Sequence, residues 1–109
     1  MPRQINVQDL AARLASGERV YLVDVRQPWE HDTAALPRTD LLLPLDQLID
    51  RHDEVTPPAG ALVVTYCHHG IRSANVAVFL QRHEFTSVAN LSGGIDAWAA
   101  TVDRSLPRY

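Results

Sequence analysis

The sequence predicts an α/β fold of three layers, in which a parallel sheet is flanked by helices on both faces. Mostly apolar, β-branched runs at 19–25, 61–66 and 87–91 have the pattern of strands that are covered on both sides. Helical segments alternate with these runs across short connections, which is typical of parallel sheets. A chain of 109 residues, 46% of them apolar, is large enough for one domain with its own core.

The amino-terminal third is predicted to form a helix, a buried strand and a loop. Asn6 is a candidate N-cap, and apolar residues recur at helical spacing up to Leu14 before Gly17 ends the helix. The run 19–25 forms the strand. Residues 27–40 carry two prolines and no apolar period, so we expect a long loop there with room for one helical turn.

The middle of the chain is predicted to hold a short strand at 41–45, which Pro44 either ends or marks as an edge strand, and a short amphipathic helix at 45–51. Three side chains of this helix are expected to face inward: Leu45, Leu48 and Ile49.

Two further buried strands, each followed by a helix, are predicted in the rest of the chain. The strand 61–66 precedes a helix at 71–83, and the strand 87–91 precedes a helix at 95–101. The pair Gly93 and Gly94 makes the sharp turn into the last helix, where Trp98 is expected in the core. The other helix presents three apolar side chains on one side: Val76, Phe79 and Leu80.

Composition argues against several classes of protein and of site. A net charge of -3, with ten arginines scattered along the chain, does not fit a nucleic-acid binder, which needs a basic face. The start MPRQINVQDL is too polar for a signal peptide and no apolar stretch approaches ~18 residues, so we expect a soluble cytoplasmic protein without a membrane partner. The single cysteine, Cys67, cannot form an internal disulfide or a metal site built on paired cysteines.

Cys67 stands where parallel α/β proteins bind ligands. It directly follows the strand 61–66 and precedes the helix 71–83, and the ligand crevice of such sheets lies beyond the carboxyl ends of the strands. Backbone N–H groups of residues 68–73 are therefore expected to converge on its sulfur and, with the helix dipole, to favour the thiolate. Gly70 permits the close backbone approach that such a cradle needs.

Two more residues of this loop carry chemistry. Arg72 supplies a positive charge that either pairs with an anionic ligand or pins the loop, and Ser73 either caps the helix or donates to the sulfur. The alternative is that Cys67 is a small apolar filler, as buried free cysteines often are. The arrangement of strand, cysteine, glycine, arginine, serine and helix favours a reactive site.

The stretch CHHGIRS (67–73) resembles the active-site loop Cys-x-x-Gly-x-Arg-Ser/Thr of the rhodanese family of sulfurtransferases. Other segments resemble the same family in the same order. YLVDVRQPWE (21–30) resembles its Asp-Val-Arg-x-x-x-Glu motif, LLLPLDQL its short strand and helix, and LSGGIDAWAATVDRSLPRY (91–109) its closing Leu-x-Gly-Gly-x-x-x-Trp segment. The resemblance implies a single rhodanese domain over 1–109 with a five-stranded parallel sheet.

The resemblance also implies a reaction. Cys67 takes the outer sulfur of a small anionic donor such as thiosulfate, holds it as a persulfide and passes it to cyanide or a thiol. No cofactor is implied, and no metal is expected, because the adjacent side chains of His68 and His69 diverge and no fourth ligand is evident. The loop that surrounds the sulfur and binds the anion is expected to consist of His68, His69, Gly70, Ile71, Arg72 and Ser73.

Three charged residues near the end of the strand 19–25 are expected to support the site. Asp24 and Arg26 hold neighbouring loops through charges and hydrogen bonds, with direct substrate contact by Arg26 as the alternative. Glu30 is a candidate partner for Arg26. Trp29 is either a packing residue or part of a pocket wall.

One segment departs from the family pattern, and other functions stay open. AALPRT (34–39) stands where the family usually carries Gly-His-Ile-Pro-Gly-Ala. This difference leaves open the conformation of the loop and the sulfur acceptor that it admits. A second function is a sulfur carrier or partner-binding module that exchanges sulfur with another protein. A third is a phosphatase or arsenate reductase. Loop length opposes it, because four residues separate Cys67 from Arg72 where the related phosphatases have five.

Overall fold

The computed structural model describes residues 2–109 and contains one parallel sheet of five strands. The strands are β1 (Arg3–Ile5), β2 (Val20–Asp24), β3 (Leu41–Leu42), β4 (Leu62–Tyr66) and β5 (Val88–Leu91). Their order across the sheet is β1-β5-β4-β2-β3, and every neighbouring pair is parallel. The predicted α/β class and the parallel sheet are confirmed.

Residues 2–109 form five α-helices: α1 (Val7–Ala15), α2 (Pro28–Thr33), α3 (Leu48–Arg51), α4 (Ile71–His83) and α5 (Gly94–Thr101). The first four lie between successive strands, and α5 follows β5. The predicted N-cap of α1 is present, because Asn6 Oδ1 accepts a hydrogen bond from the Asp9 N–H at 2.8 Å. The first turn of α2 is closed by a capping box between Gln27 and Glu30, with proline at its start. Each helix described over residues 2–109 is too short or too polar to cross a bilayer.

Two hydrophobic cores lie on opposite faces of the sheet because side chains alternate along each strand. Leu22 and Val64 belong to the core under α1 and α5, which also contains Trp98. Val23 and Val63 belong to the core under α3 and α4. Strands buried on both faces need apolar side chains at nearly every position, which explains why β2, β4 and β5 were predictable from their composition.

One strand was not predicted, and two predicted segments differ from the structure in part. β1 was not predicted, because only Ile5 of its three residues is buried and the other two are exposed. The segment predicted as a helix at 45–51 is a 3-10 turn followed by the single turn α3, and this geometry buries Leu48 but leaves Ile49 72% exposed. The predicted inward position of Ile49 is therefore wrong. The loop predicted at 27–40, with room for one helical turn, contains the six-residue helix α2, which is slightly longer than a single turn.

Candidate active site

Cys67 lies at the carboxyl end of the central strand β4, in a short loop that leads to α4. The amino end of α5 holds this loop, because the N–H of Ile95 donates to the carbonyl oxygen of Cys67 at 2.9 Å and that of Asp96 to the carbonyl oxygen of His68 at 3.0 Å. Gly94 permits this approach. A Cβ at position 94 would lie 2.5 Å from both loop carbonyl oxygens, and φ is +60° there.

Three polar groups of the loop surround Cys67 Sγ, which belongs to a side chain that is only 1% exposed. The N–H of Gly70 lies 3.1 Å from the sulfur, the N–H of Ser73 3.4 Å and the Ser73 hydroxyl 3.3 Å. Of the N–H groups predicted to converge on the sulfur, these two reach it. Ser73 does not cap α4, because Gly70, with φ of +104°, occupies the N-cap position.

Arg72 pins the loop to α2. Its guanidinium makes a bidentate pair with the carboxylate of Glu30, with Nη1–Oε1 at 2.6 Å and Nη2–Oε2 at 2.9 Å. This pairing lowers the pKa of Glu30 to about 2 and raises the pKa of Arg72. The expectation that Glu30 pairs with Arg26 is wrong for the carboxylate: only the carbonyl oxygen of Glu30 accepts a hydrogen bond from Arg26, at 3.3 Å.

Asp24 and Arg26 form a fully buried ion pair at the end of β2. Arg26 Nε lies 2.8 Å from Asp24 Oδ1, and Nη2 lies 2.6 Å from Oδ2. Burial opposes the charge of Arg26, but its hydrogen bonds with Asp24 outweigh that effect and raise its pKa. Arg26 also donates to the carbonyl oxygen of Ala34 at 2.7 Å, so the pair anchors the start of the AALPRT segment. Within that segment Arg38 has φ of +59°, at a position where the family usually carries glycine.

Tyr109 is a site residue that the sequence analysis missed. Its hydroxyl accepts a hydrogen bond from Arg26 and donates one to Glu30 Oε2, both at 2.8 Å. Its ring stacks on His68, with centroids 4.1 Å apart and planes 8° apart. Tyr109 thus joins the buried charges of β2 to the Cys67 loop. A tyrosine near the end of a polar segment gives no sequence signal for this role.

The remaining loop residues lie at the mouth of the site. His68 is stacked between Tyr109 and His69, and burial, followed by the charge of His69, lowers its pKa. His69 and Ile71 are exposed, and Trp29 is an exposed residue with an edge contact to Tyr109. Trp29 therefore belongs to the rim of the site and not to the core. Among residues 2–109, no three His, Cys, Asp or Glu side chains are grouped so that they could hold a metal ion.

The Rhodanese-like domain family matches residues 6–101, a range that includes the Cys67 loop and the strands β2 to β5. The chain belongs to this family. A sulfurtransferase from Allochromatium vinosum is 38% identical to this rhodanese-like chain over 99 residues, which cover 91% of this chain and 90% of that protein. Membership of the sulfurtransferase family, which the loop motif indicated, is confirmed.

Two other similarities extend over nearly the whole rhodanese-like chain. A Rhodanese-like Domain Protein from Staphylococcus aureus has a crystal structure that superposes with a TM-score of 0.79 at 26% identity, covering 98% of both chains. The adenylyltransferase and sulfurtransferase MOCS3 of Arabidopsis thaliana is 27% identical over 97% of this chain. This chain spans only 26% of the length of that protein.

Proposed function

We propose that this rhodanese-like chain transfers sulfane sulfur through a persulfide on Cys67. The observation that carries the proposal is the pair of backbone N–H groups directed at a buried sulfur, at 3.1 Å from Gly70 and 3.4 Å from Ser73. Hydrogen-bond donors held in place around an atom favour negative charge on it. Such a cradle suits both a thiolate and the terminal sulfur of an anionic persulfide.

The reaction with thiosulfate takes two displacements. The Cys67 thiolate attacks the outer sulfur, a bond forms between Sγ and that sulfur, and sulfite leaves with the electron pair of the broken sulfur–sulfur bond. Cyanide or a thiolate then attacks the terminal sulfur of the persulfide, and Cys67 is released as a thiolate. The cycle is ping-pong and needs no cofactor.

The charged residues around the loop position it and do not bind the donor directly. The charge of Arg72 is already paired with Glu30, and Arg26 is buried against Asp24. We therefore assign the binding of the donor to the loop N–H groups, at the mouth formed by His69 and Ile71. The Glu30–Arg72 pair keeps those N–H groups in place.

The physiological partners include small anionic donors, thiols and other proteins. Similarity to MOCS3, whose name combines adenylyltransferase and sulfurtransferase, supports a protein as donor or acceptor. In that case the chain works as a sulfur carrier with little turnover of thiosulfate. A free cysteine nucleophile suits a reducing compartment, so we propose the cytoplasm as its location.

Intact-protein mass spectrometry after incubation with thiosulfate tests the proposal. We expect an adduct of one sulfur atom, which cyanide removes as thiocyanate. Because the chain has a single cysteine, the adduct belongs to Cys67, and Cys67→Ser is the control that takes up none. Absence of the adduct with both thiosulfate and a protein persulfide, or turnover by Cys67→Ser, contradicts the mechanism. Hydrolysis of an aryl phosphate without sulfur uptake would instead favour a phosphatase.

A further inference from the structure

A buried polar side chain of β5 lies under the Cys67 loop and has no part in the reaction as described so far. Asn90 is only 3% exposed. Its Nδ2 donates to the carbonyl oxygen of Gly70 at 3.1 Å, and its Oδ1 accepts a hydrogen bond from the Ser73 hydroxyl. Gly70 and Ser73 are the two residues whose polar groups surround Cys67 Sγ. One side chain therefore contacts both residues that supply the sulfur cradle.

The orientation of the Asn90 amide follows from its partners. The carbonyl oxygen of Gly70 only accepts hydrogen bonds, so the amide must present its NH₂ group there and its oxygen to Ser73. The NH₂ group also donates to Gln4 Oε1 at 3.0 Å, from the neighbouring strand β1. Asn90 is paired with Gln4 on one side and Thr65 on the other, so its backbone is held on a rigid part of the sheet.

The Ser73 hydroxyl has one proton and two acceptors within reach, Asn90 Oδ1 and Cys67 Sγ. When Cys67 is a thiol, the hydroxyl donates to Asn90 and can accept from the S–H group. When Cys67 is a thiolate, the sulfur is an acceptor only and the hydroxyl proton is drawn to it. Asn90 therefore holds the hydroxyl beside the sulfur while Cys67 is a thiol, and the hydroxyl is already in place to donate to the sulfur when the thiolate forms.

We propose that Asn90 is a positioning residue for the reactivity of Cys67. Its amide fixes the Gly70 peptide so that the N–H points at the sulfur, and it holds the Ser73 hydroxyl beside the same atom. The inference rests on the proposed function, and it adds to that function a residue distant from the loop in sequence.

Two rate constants measured side by side test the inference. The first is alkylation of Cys67 by iodoacetamide, which needs no sulfur transfer, and the second is persulfide formation from thiosulfate. We expect Asn90→Ala to slow both by about 10-fold or more, because a misplaced cradle loses much of its stabilisation of negative charge. Gln4→Ala is the matched control: it removes the other partner of the same amide and should leave both rates within about two-fold of the native protein. Asn90→Thr, which suits a strand, takes the place of Asn90→Ala where the alanine variant does not fold.

A double-mutant cycle separates positioning from general stability. In a Ser73→Ala background, the substitution of Asn90 should slow alkylation less than it does in the native background, because the hydroxyl that Asn90 holds is already absent. Equal slowing in both backgrounds would overturn the part of the inference that concerns the Ser73 hydroxyl, and native rates in a folded Asn90 variant would overturn the inference as a whole. A native protein that takes up no sulfur, but shows the expected alkylation pattern, would refute the proposed function and leave the role of Asn90 standing.

Discussion

Replacing Glu30 by glutamine removes the negative charge that binds the Cys67 loop to α2. In the native protein the Glu30 carboxylate is buried and accepts four hydrogen bonds: two from Arg72, one from the Tyr109 hydroxyl and one from the Gln27 N–H. Glutamine has nearly the same shape but carries no charge. The substitution therefore tests the ion pair with little change in packing.

The pKa of Glu30 gives the size of the effect. The hydrogen bonds of the carboxylate, chiefly those from Arg72 and then those from the Gln27 N–H and the Tyr109 hydroxyl, lower its pKa from 4.5 to about 2, which corresponds to about 3 kcal/mol of stabilisation. The Arg72 side chain is 36% exposed, so water screens part of this energy, and we expect Glu30→Gln to lower the free energy of unfolding by about 2 kcal/mol at pH 7. Because the pKa is lower in the folded state, the stabilisation is complete above pH 4.5 and is lost as the pH falls towards 2.

Urea denaturation of both proteins between pH 7 and pH 3 measures this difference. The difference in the free energy of unfolding between the native protein and Glu30→Gln should be largest at neutral pH and should decrease below pH 4.5. Glu54→Gln is the matched control, because Glu54 makes a similar contact with Arg51 at 2.8 Å on the surface, where solvent screens it. A difference that does not change with pH, or an equal loss in the control, would refute the reasoning.

Two further substitutions test contacts that hold the site together. Gly94→Ala places a Cβ 2.5 Å from a loop carbonyl oxygen at φ of +60°, and we expect thermal denaturation to show a loss of about 3 kcal/mol or more. Gly17→Ala, at φ of +76° with nothing within 4 Å, should cost only about 1 kcal/mol, and equal losses would contradict the role of the close approach. Tyr109→Phe removes the hydroxyl between Arg26 and Glu30 but keeps the ring, and urea denaturation should show a loss of about 1–3 kcal/mol. An unchanged free energy of unfolding in this variant would mean that the hydroxyl does not hold the charges together.

The sequence was most informative for elements whose formation depends on the residues within them. Strands buried on both faces need continuous apolar runs, so β2, β4 and β5 were predictable, as was α4 from its helical spacing. The edge strand β1 has two exposed residues out of three, and nothing in so short a segment distinguishes it from a loop. Ile49 was misplaced because the backbone changes there from a 3-10 turn to α-helix, which alters the periodicity on which the prediction depended.

In the candidate site, too, the residues that could be predicted are close together in the sequence, and their partners are distant. Cys67, Gly70 and Ser73 lie within seven consecutive residues, so their spacing already indicated a cradle for the sulfur and a family of sulfurtransferases. The partners of that cradle come from elsewhere in the chain. Glu30 binds Arg72 across 42 positions, and Ser73 reaches Asn90 across 17.

By itself, therefore, the sequence determined the class of fold and the family, and it pointed to the Cys67 loop as the candidate site, because strand patterns and short motifs each depend on residues close together in the chain. Only the tertiary structure decided that the Arg72 charge is already paired, that Asn90 lies under the loop and that Tyr109 connects it to the charges of β2. Such contacts depend on which strand ends lie side by side in the sheet, and that order, β1-β5-β4-β2-β3, is not the order of the strands in the chain.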